Sequence, residues 1–239
     1  MVVLTKRIFA LDFIRGFAIL LMIFFNYSVT LTYFRLINLT YDFLYWFVFP
    51  RVIASIFIFI SGVVAYLTYK NSKEKFRKIY FFRGLKLLIF AILISIFTYL
   101  FVPSGTILFG ILHFFAVTSF FVPFFIKYDR LNLIAGILIT LVGLYLQFMS
   151  FSFSFLFWLG FIPQNFFTFD YFPLMPWLGV LMLGIYFGKK VVQKTVKMRL
   201  TGLPAQIFVF LGKNSLTIYL IHQPILIFVL TLLGFKLFF

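Results

Sequence analysis

Long runs of apolar residues alternate along this chain with short stretches that contain most of its charges. Seven of these runs are predicted to be membrane-spanning helices, because each holds about 18 or more mainly apolar residues. They cover residues 8–32, 44–69, 81–102, 106–127, 131–148, 172–189 and 216–236. The pattern therefore predicts an all-α fold, a polytopic transmembrane helical bundle.

Two further apolar segments do not fit a simple span. The segment FSFSFLFWLGF (151–161) is too short to cross a bilayer, so we expect it to lie in the outer interface or to dip into the bundle. The segment GLPAQIFVFLG (202–212) is expected to form a short amphipathic interfacial helix that leads into the last span. Eight or nine spans are the alternatives to seven.

The basic residues predict the orientation of the bundle. The chain has 21 Lys and Arg against 5 Asp and Glu. A cytoplasmic N-terminus places most of them in cytoplasmic loops, as the positive-inside rule requires. These are Lys6, Arg7, Lys70, Lys73, Lys75, Arg77, Lys78, Lys127, Arg130, Lys189, Lys190, Lys194, Lys197, Arg199 and Lys213; Arg35 and Lys236 remain on the other side. We expect a multi-pass protein of the cell membrane.

Composition narrows the classes of function. Hydrophobic residues make up 64% of the chain and charged residues 11%, with a mean hydropathy of +1.14, so we expect one membrane domain over residues 1–239. The basic residues flank apolar runs, which argues against nucleic-acid binding. The chain has no cysteine, which excludes a thiolate nucleophile and a cysteine-ligated iron–sulfur site, and we expect no metal site.

A few polar residues lie inside the predicted spans, where a charge costs roughly 2.5–3.5 kcal/mol on insertion scales. At about 100° per residue, Asp12, Arg15 and Asn26 fall within an arc of about 60° on the first span. Counting ~1.5 Å per residue from the span ends predicts two polar layers, which together would line one path. The inner layer contains Asp12, Arg15 and His222, and the outer layer contains Asn26, Arg51 and His113.

Each of these residues also has a purely structural interpretation. Asp12 and Arg15 can neutralise each other at positions i and i+3, and each histidine can be a buried hydrogen-bonding group between helices. Asn26 can hold two helices together, and Arg51 can reach the outer surface along its aliphatic stem.

The last two spans carry additional features. Pro224 lacks the backbone N–H that continues a helix, so the last span is expected to be loosened next to His222. Gly184 and Gly188 in the sixth span are spaced for close helix packing.

Four sequence blocks stand out by their order and spacing: LDFIRGFAILLMIFFNY (11–27), GILHFFAV (110–117), FPLMPWLGVLMLGIYFGK (172–189) and LGKNSLTIYLIHQP (211–224). Together they resemble the catalytic-domain family of heparan-α-glucosaminide N-acetyltransferase. The opening Asp-x-x-Arg-Gly is shared with the wider transmembrane acyltransferase superfamily. The resemblance implies that an acyl group passes from cytoplasmic acyl-CoA to an acceptor, typically a sugar, at or across the membrane.

The resemblance also implies where the chemistry lies. The residues that match family blocks are Asp12, Arg15, Gly16, His113, Pro176, Trp177, Asn214, Ser215, His222 and Gln223. Much of the superfamily has a histidine where this chain has Asn26, and the loop that follows the first span also lacks one. The general base is therefore one of the two histidines. We prefer His113, because an acceptor would arrive at the outer layer; His222 is the alternative, and a relayed acyl-histidine would use both.

The remaining roles follow from what acyl transfer requires. A polyanionic donor needs cations, so Arg15, oriented by Asp12, is expected to bind acyl-CoA. Asn26 or Arg51 would polarise the acyl carbonyl. The expected donor-binding set is Asp12, Arg15, Asn214, Ser215 and Gln223, and the residues expected on the acceptor side are Arg51 and Trp177.

The expected partners are the lipid bilayer, acetyl-CoA or another acyl-CoA as co-substrate, and a sugar or lipid-linked acceptor. No permanently bound cofactor is expected, and a homo-oligomer is an open alternative. The competing function is a transporter or a lipid-headgroup-binding protein, in which the polar path serves permeation or binding. A scaffold is the weakest alternative, because buried charges would then cost stability without use.

Overall fold

The computed structural model describes residues 8–195 and 202–235. Eight α-helices form within these residues: α1 (Phe9–Tyr33), α2 (Phe49–Asn71), α3 (Phe76–Phe101), α4 (Ile111–Phe125), α5 (Asp129–Leu146), α6 (Leu174–Thr195), α7 (Leu203–Lys213) and α8 (Ser215–Leu232). The predicted all-α fold is confirmed. Of the basic residues used to predict orientation, Lys6, Arg7, Lys197, Arg199, Lys236 and the side chain of Lys194 lie outside the described part.

Six of the described helices are long and apolar enough to cross a membrane, namely α1, α2 with the turn before it, α3, α5, α6 and α8. This agrees with a polytopic membrane bundle. The fourth predicted span is shorter than expected, since α4 has 15 residues. At ~1.5 Å per residue that helix is about 22 Å long, less than the ~30 Å of the hydrocarbon core. Residues 106–110, the first part of the predicted span, instead belong to a loop that follows the 3-10 turn Pro103–Gly105.

The two segments that did not fit simple spans are a loop and a short helix. Residues 151–161 contain only a 3-10 turn, Phe157–Leu159, so the prediction that they do not cross as a helix is confirmed. The segment 202–212 is helical, as α7, and leads directly into α8. Its position in the membrane interface stays a prediction.

The chain divides into two compact units. Unit 1 is Ser61–Lys189 and contains the second half of α2, then α3, α4, α5 and most of α6. Unit 2 consists of the described residues of Lys6–Ile60 and Lys190–Phe239, which include α1, the first half of α2, α7 and α8. Each unit holds one of the two histidines.

Glycines allow the helices of unit 1 to pack closely. A Cβ added to Gly62 of α2 would lie 2.9 Å from the Cα of Gly184, and one added to Gly188 would lie 2.9 Å from the Cβ of Tyr66. Such contacts require residues without side chains at the crossing. The predicted packing role of Gly184 and Gly188 is therefore confirmed, with α2 as the partner helix.

Two loops of unit 1 are joined by hydrogen bonds next to the start of α4. The backbone N–H of Phe172 donates to the carbonyl of Phe109 at 2.8 Å. The carboxylate of Asp170 accepts a bond of 2.9 Å from the N–H of Ile111, which places a negative charge at the N-terminus of α4. Tyr171 donates to the carbonyl of Phe157 at 2.7 Å, and burial raises the pKa of Tyr171. A loop distant in sequence thus fixes the start of α4.

In unit 2, the second half of α1 packs on the chain that enters α2. A π-helical turn, Leu44–Val48, precedes α2, and Pro50 at this junction cannot donate a helical hydrogen bond. The hydroxyl groups of Ser28 and Tyr45 are 2.6 Å apart, and the ring of Phe25 lies 6.1 Å from that of Trp46. These contacts fix the half of α1 that carries Asn26.

Candidate functional site

The first and last sequence blocks meet at two places in unit 2. At the first place the backbones of α1 and α7 touch. A Cβ added to Gly16 would overlap the carbonyl of Phe208, and one added to Gly212 would overlap the carbonyl of Asp12. The rings of Phe13 and Phe208 pack edge to face beside this contact, with centroids 5.1 Å apart. The glycine of the opening motif therefore has a packing function.

At the second place, Asn26 of α1 meets His222 of α8. The side-chain amide nitrogen of Asn26 is 3.2 Å from Nε2 of His222, and only 5% of His222 is exposed. Tyr27 donates its hydroxyl proton to the backbone carbonyl of His222 at 2.9 Å, and its ring lies nearly parallel to the imidazole. The structure thus brings together two of the three residues that the sequence marked as candidate catalytic groups.

The neighbours of His222 determine which ring nitrogen carries the proton. Nδ1 lies 2.7 Å from the backbone carbonyl oxygen of Tyr219, which can only accept a hydrogen bond. Nδ1 is therefore the protonated nitrogen of the neutral ring, and Nε2 has the lone pair that accepts from Asn26. A buried imidazole with an oriented Nδ1–H and a basic Nε2 is suited to general-base chemistry.

The predicted position of His222 in the inner layer, level with Arg15, is wrong. His222 lies level with Asn26, because α8 begins beside a point well inside α1 and not beside the first residue of α1. The end of α7 already contacts Gly16, about 10 Å into α1, and His222 lies about 10 Å further along α8. Asn26 lies about 25 Å into α1, so the two side chains meet. Counting residues from the start of α8 underestimated this depth.

The amide of Gln223 is engaged at both ends by α1. Its Oε1 accepts from the hydroxyl of Thr30 at 3.1 Å, and its Nε2 donates to the backbone carbonyl of Asn26 at 3.3 Å. These bonds use one donor and one acceptor of the amide for contact between helices. The structure therefore shows Gln223 in a packing role, and donor binding by this residue stays a prediction.

The other residues expected to bind the donor lie where the first and last blocks touch. Asp12 and Arg15 are half-buried on α1, and the backbone of Asp12 contacts Gly212. The side chain of Asn214 donates to the carbonyl of Phe210 at 2.9 Å at the end of α7, and Ser215 begins α8. Their role in donor binding stays a prediction.

His113, in unit 1, has the opposite hydrogen-bonding pattern. Nδ1 accepts from the backbone N–H of Gly110 at 3.2 Å, so Nε2 carries the proton of the neutral ring and is 3.2 Å from the hydroxyl of Ser95. Ser95 donates in turn to the carbonyl of Ile107 at 2.5 Å. The ring thereby caps the backbone N–H of Gly110, the residue before α4. Both nitrogens are thus used to hold the loop before α4.

Arg51 and Trp177, the residues expected on the acceptor side, have different surroundings. In unit 2 the guanidinium of Arg51 lies 3.4 Å over the ring centroid of Phe47 and donates to its carbonyl at 2.8 Å, a local contact at the start of α2. In unit 1 Trp177 is 5% exposed, and its Nε1 has no hydrogen-bond partner within the described residues. Contact of either residue with an acceptor stays a prediction.

Several residues of these networks were missed in the sequence. Tyr27 and Thr30 follow Asn26 by one and four positions, so a helical projection would have placed Thr30 on the same face. Asp170 is one of only five acidic residues and lies in a Phe-rich loop. These two features of the sequence indicated that its carboxylate caps a helix. Ser95 carried no such sign.

Comparison with known proteins identifies the family. The family model described as "Heparan-alpha-glucosaminide N-acetyltransferase, catalytic" matches residues 7–224 of the chain. Neither the curated proteins nor the solved structures give a significant match. The matched region contains all four blocks and both places where the first and last blocks meet. The chain therefore belongs to the heparan-α-glucosaminide N-acetyltransferase catalytic family, and it is a multi-pass membrane transferase of the acyltransferase type.

Proposed function

We propose that the protein transfers an acetyl group from cytoplasmic acetyl-CoA to an amino sugar, a glycan or a related acceptor at or across the cell membrane. One observation carries this proposal: the lone pair on Nε2 of buried His222 faces the side-chain amide of Asn26, inside the region that matches an N-acetyltransferase family. The name of the family supports the transferred acetyl group and the type of acceptor, and acetyl-CoA as the donor is what the sequence resemblance implies.

In the proposed mechanism His222 is the general base. The N–H or O–H group of the acceptor replaces the Asn26 amide as the donor to Nε2. As the acceptor nitrogen or oxygen attacks the thioester carbonyl, its proton passes to Nε2, while Nδ1–H remains bonded to the carbonyl of Tyr219 and orients the imidazolium. This assigns to His222 the role for which sequence reasoning preferred His113.

Asn26 then stabilises the charge that develops on the thioester. Its amide, released from Nε2 by the acceptor, donates to the carbonyl oxygen as that oxygen becomes negative. The carbon–sulfur bond breaks, and the CoA thiolate takes the proton from Nε2. The products are the acetylated acceptor and CoA thiol, and His222 returns to its neutral state.

Donor binding is proposed for the contact between the first and last blocks. Acyl-CoA carries several negative charges, and the predicted cytoplasmic loops are basic. Arg15 of the opening motif and Lys213 at the end of α7 are cations of the two helices that meet at Gly16 and Gly212. The lipid bilayer, acyl-CoA and a sugar or lipid-linked acceptor are the proposed partners.

The test is acetyl transfer by purified protein in lipid vesicles. With radiolabelled acetyl-CoA and glucosamine or a glucosamine-terminated oligosaccharide, the unmodified protein is expected to label the acceptor. His222→Gln is expected to lower the rate by ~10² to 10⁴-fold, the usual contribution of a general base. His113→Gln, the matched control, is expected to retain transfer when equal amounts of folded protein are compared.

Two outcomes would contradict the proposal. Undiminished transfer by the His222→Gln variant would exclude this histidine as the base. Failure of the unmodified protein both to bind acetyl-CoA and to label any amino-sugar acceptor would favour the transporter or headgroup-binding alternative.

A further inference from the structure

Asn26 and His222 are each held in place by the neighbour of the other. Tyr27, next to Asn26, bonds to the backbone carbonyl of His222. Gln223, next to His222, bonds to the backbone carbonyl of Asn26. Thr30, one turn beyond Asn26, bonds to the other end of the Gln223 amide. Four polar contacts between α1 and α8 therefore surround one short stretch of each helix, including the contact between Asn26 and His222.

The helix that carries His222 needs this support. Pro224 has no N–H to donate to the carbonyl of Leu220, so α8 lacks one of its own hydrogen bonds beside His222. A single helix–helix hydrogen bond inside a membrane protein contributes little to stability, so no one of these bonds is needed for folding. Their larger effect is to fix the position of the two side chains relative to each other.

We propose that Tyr27 and Gln223 are positioning residues for acyl transfer. By bonding to the backbones of His222 and Asn26, they set the separation and angle between the imidazole Nε2 and the Asn26 amide. Thr30 orients Gln223 for this purpose. The expected effect of these residues on catalysis rests on the proposed function. Their expected effect on the position of the His222 side chain does not.

The kinetic test uses substitutions that remove one hydrogen bond and keep shape. Tyr27→Phe, Gln223→Met and Thr30→Val are expected to lower kcat by about 10- to 100-fold, because a misplacement of the order of an ångström has effects of this size. In Tyr27→Phe and Thr30→Val the KM for acetyl-CoA is expected to change by less than about twofold, since binding is not the affected step. Thr30→Ser, which restores the hydroxyl, is expected to recover the rate.

Matched controls are available on exposed positions. Tyr145→Phe on α5 removes the hydroxyl of a side chain that is 67% exposed. Thr231→Val removes a hydroxyl of α8 that bonds only locally, to the carbonyl of Ile227. Both controls are expected to leave kcat unchanged. A merely structural role for Tyr27 and Gln223 would instead lower the thermal stability and leave the kcat of the folded fraction intact, which would overturn the inference.

A spectroscopic test separates this inference from the proposed function. The chain has two histidines, so the ring nitrogens of isotope-labelled histidine give few NMR signals, and the His222→Gln variant identifies those of His222. Tyr27→Phe and Gln223→Met are expected to shift the Nε2 signal of His222, whereas the controls leave it unchanged. If the unmodified protein transfers no acetyl group, the kinetic test does not apply, and this NMR measurement alone tests whether Tyr27 and Gln223 position His222. An unchanged Nε2 signal in both variants would overturn the inference.

Discussion

The two histidines occupy regions with opposite hydrogen-bonding patterns. In unit 1 a backbone N–H, that of Gly110, points at Nδ1 of His113. In unit 2 a backbone carbonyl, that of Tyr219, points at Nδ1 of His222. A group that can only donate leaves Nε2 protonated, and a group that can only accept leaves Nε2 basic. The backbone next to each ring therefore distinguishes a structural histidine from a candidate base.

The two regions also differ in the distance along the chain between partners. His113 bonds to groups at Ser95 and Gly110, all in one helical hairpin and its loop. His222 bonds locally to Tyr219 at Nδ1, but at Nε2 its partner is Asn26, 196 positions away. Local partners suit a residue that stabilises one loop. Partners from the two ends of the chain suit a site that has to be assembled by folding.

After the loss of His222 itself, the largest effect is expected from the residue that faces it. Asn26→Leu keeps the size of the side chain but removes the amide that is proposed to bond the developing oxyanion. Acetyl transfer is expected to fall by ~10² to 10³-fold, the usual cost of losing one such donor, with binding of acetyl-CoA retained. The measurement is the initial rate at saturating acetyl-CoA.

The control for that change is Asn38→Leu, in an exposed loop. It is expected to leave the rate unaltered. A normal rate in Asn26→Leu would remove Asn26 from the mechanism and reduce its contact with His222 to helix packing.

A smaller effect is expected where α7 touches α1. In Gly212→Ala the new methyl group would overlap the carbonyl of Asp12, so the two helices have to separate. The free energy of unfolding is expected to fall by about 1–3 kcal/mol, as for other overpacked sites. Thermal unfolding in detergent is the measurement, and Leu203→Ala, at a position of α7 that is 71% exposed, is the control. Equal stability of the two variants would show that this contact is not tight.

The smallest effect on transfer is expected at His113. His113→Gln and Ser95→Ala each break the network that holds the loop before α4, so stability is expected to fall by about 1 kcal/mol. The rate per folded molecule is expected to stay unchanged. Loss of transfer in a variant that remains as stable as the unmodified protein would restore His113 as the base, as the sequence favoured.

The helices and the family could be predicted from the sequence because each is indicated by a short continuous stretch of residues. Apolar runs located the six long helices, and four short blocks carried the resemblance that the family match confirms. The fourth span was overestimated because the loop before α4 is itself apolar. Hydropathy does not distinguish a helix from a loop whose backbone is bonded to another loop, as at Phe109 and Phe172.

The candidate site was predicted only in part, because its geometry depends on contacts between distant segments. Asn26, His222 and Gln223 were all marked, but their mutual bonds depend on where α8 begins. That position is set by the contact of Gly212 with α1 and by no property of the last span itself. The protonation states of the two rings were equally inaccessible, because they depend on the backbone groups that fold against each ring.

The most direct test of the proposed site is the tautomer of each histidine in the folded protein. Nitrogen and carbon chemical shifts of isotope-labelled histidine, recorded at a pH where both rings are neutral, distinguish Nδ1–H from Nε2–H. We predict one ring of each kind, with the Nδ1–H signals lost in His222→Gln and the Nε2–H signals lost in His113→Gln. Two rings of the same kind, or an Nε2–H tautomer at His222, would contradict it.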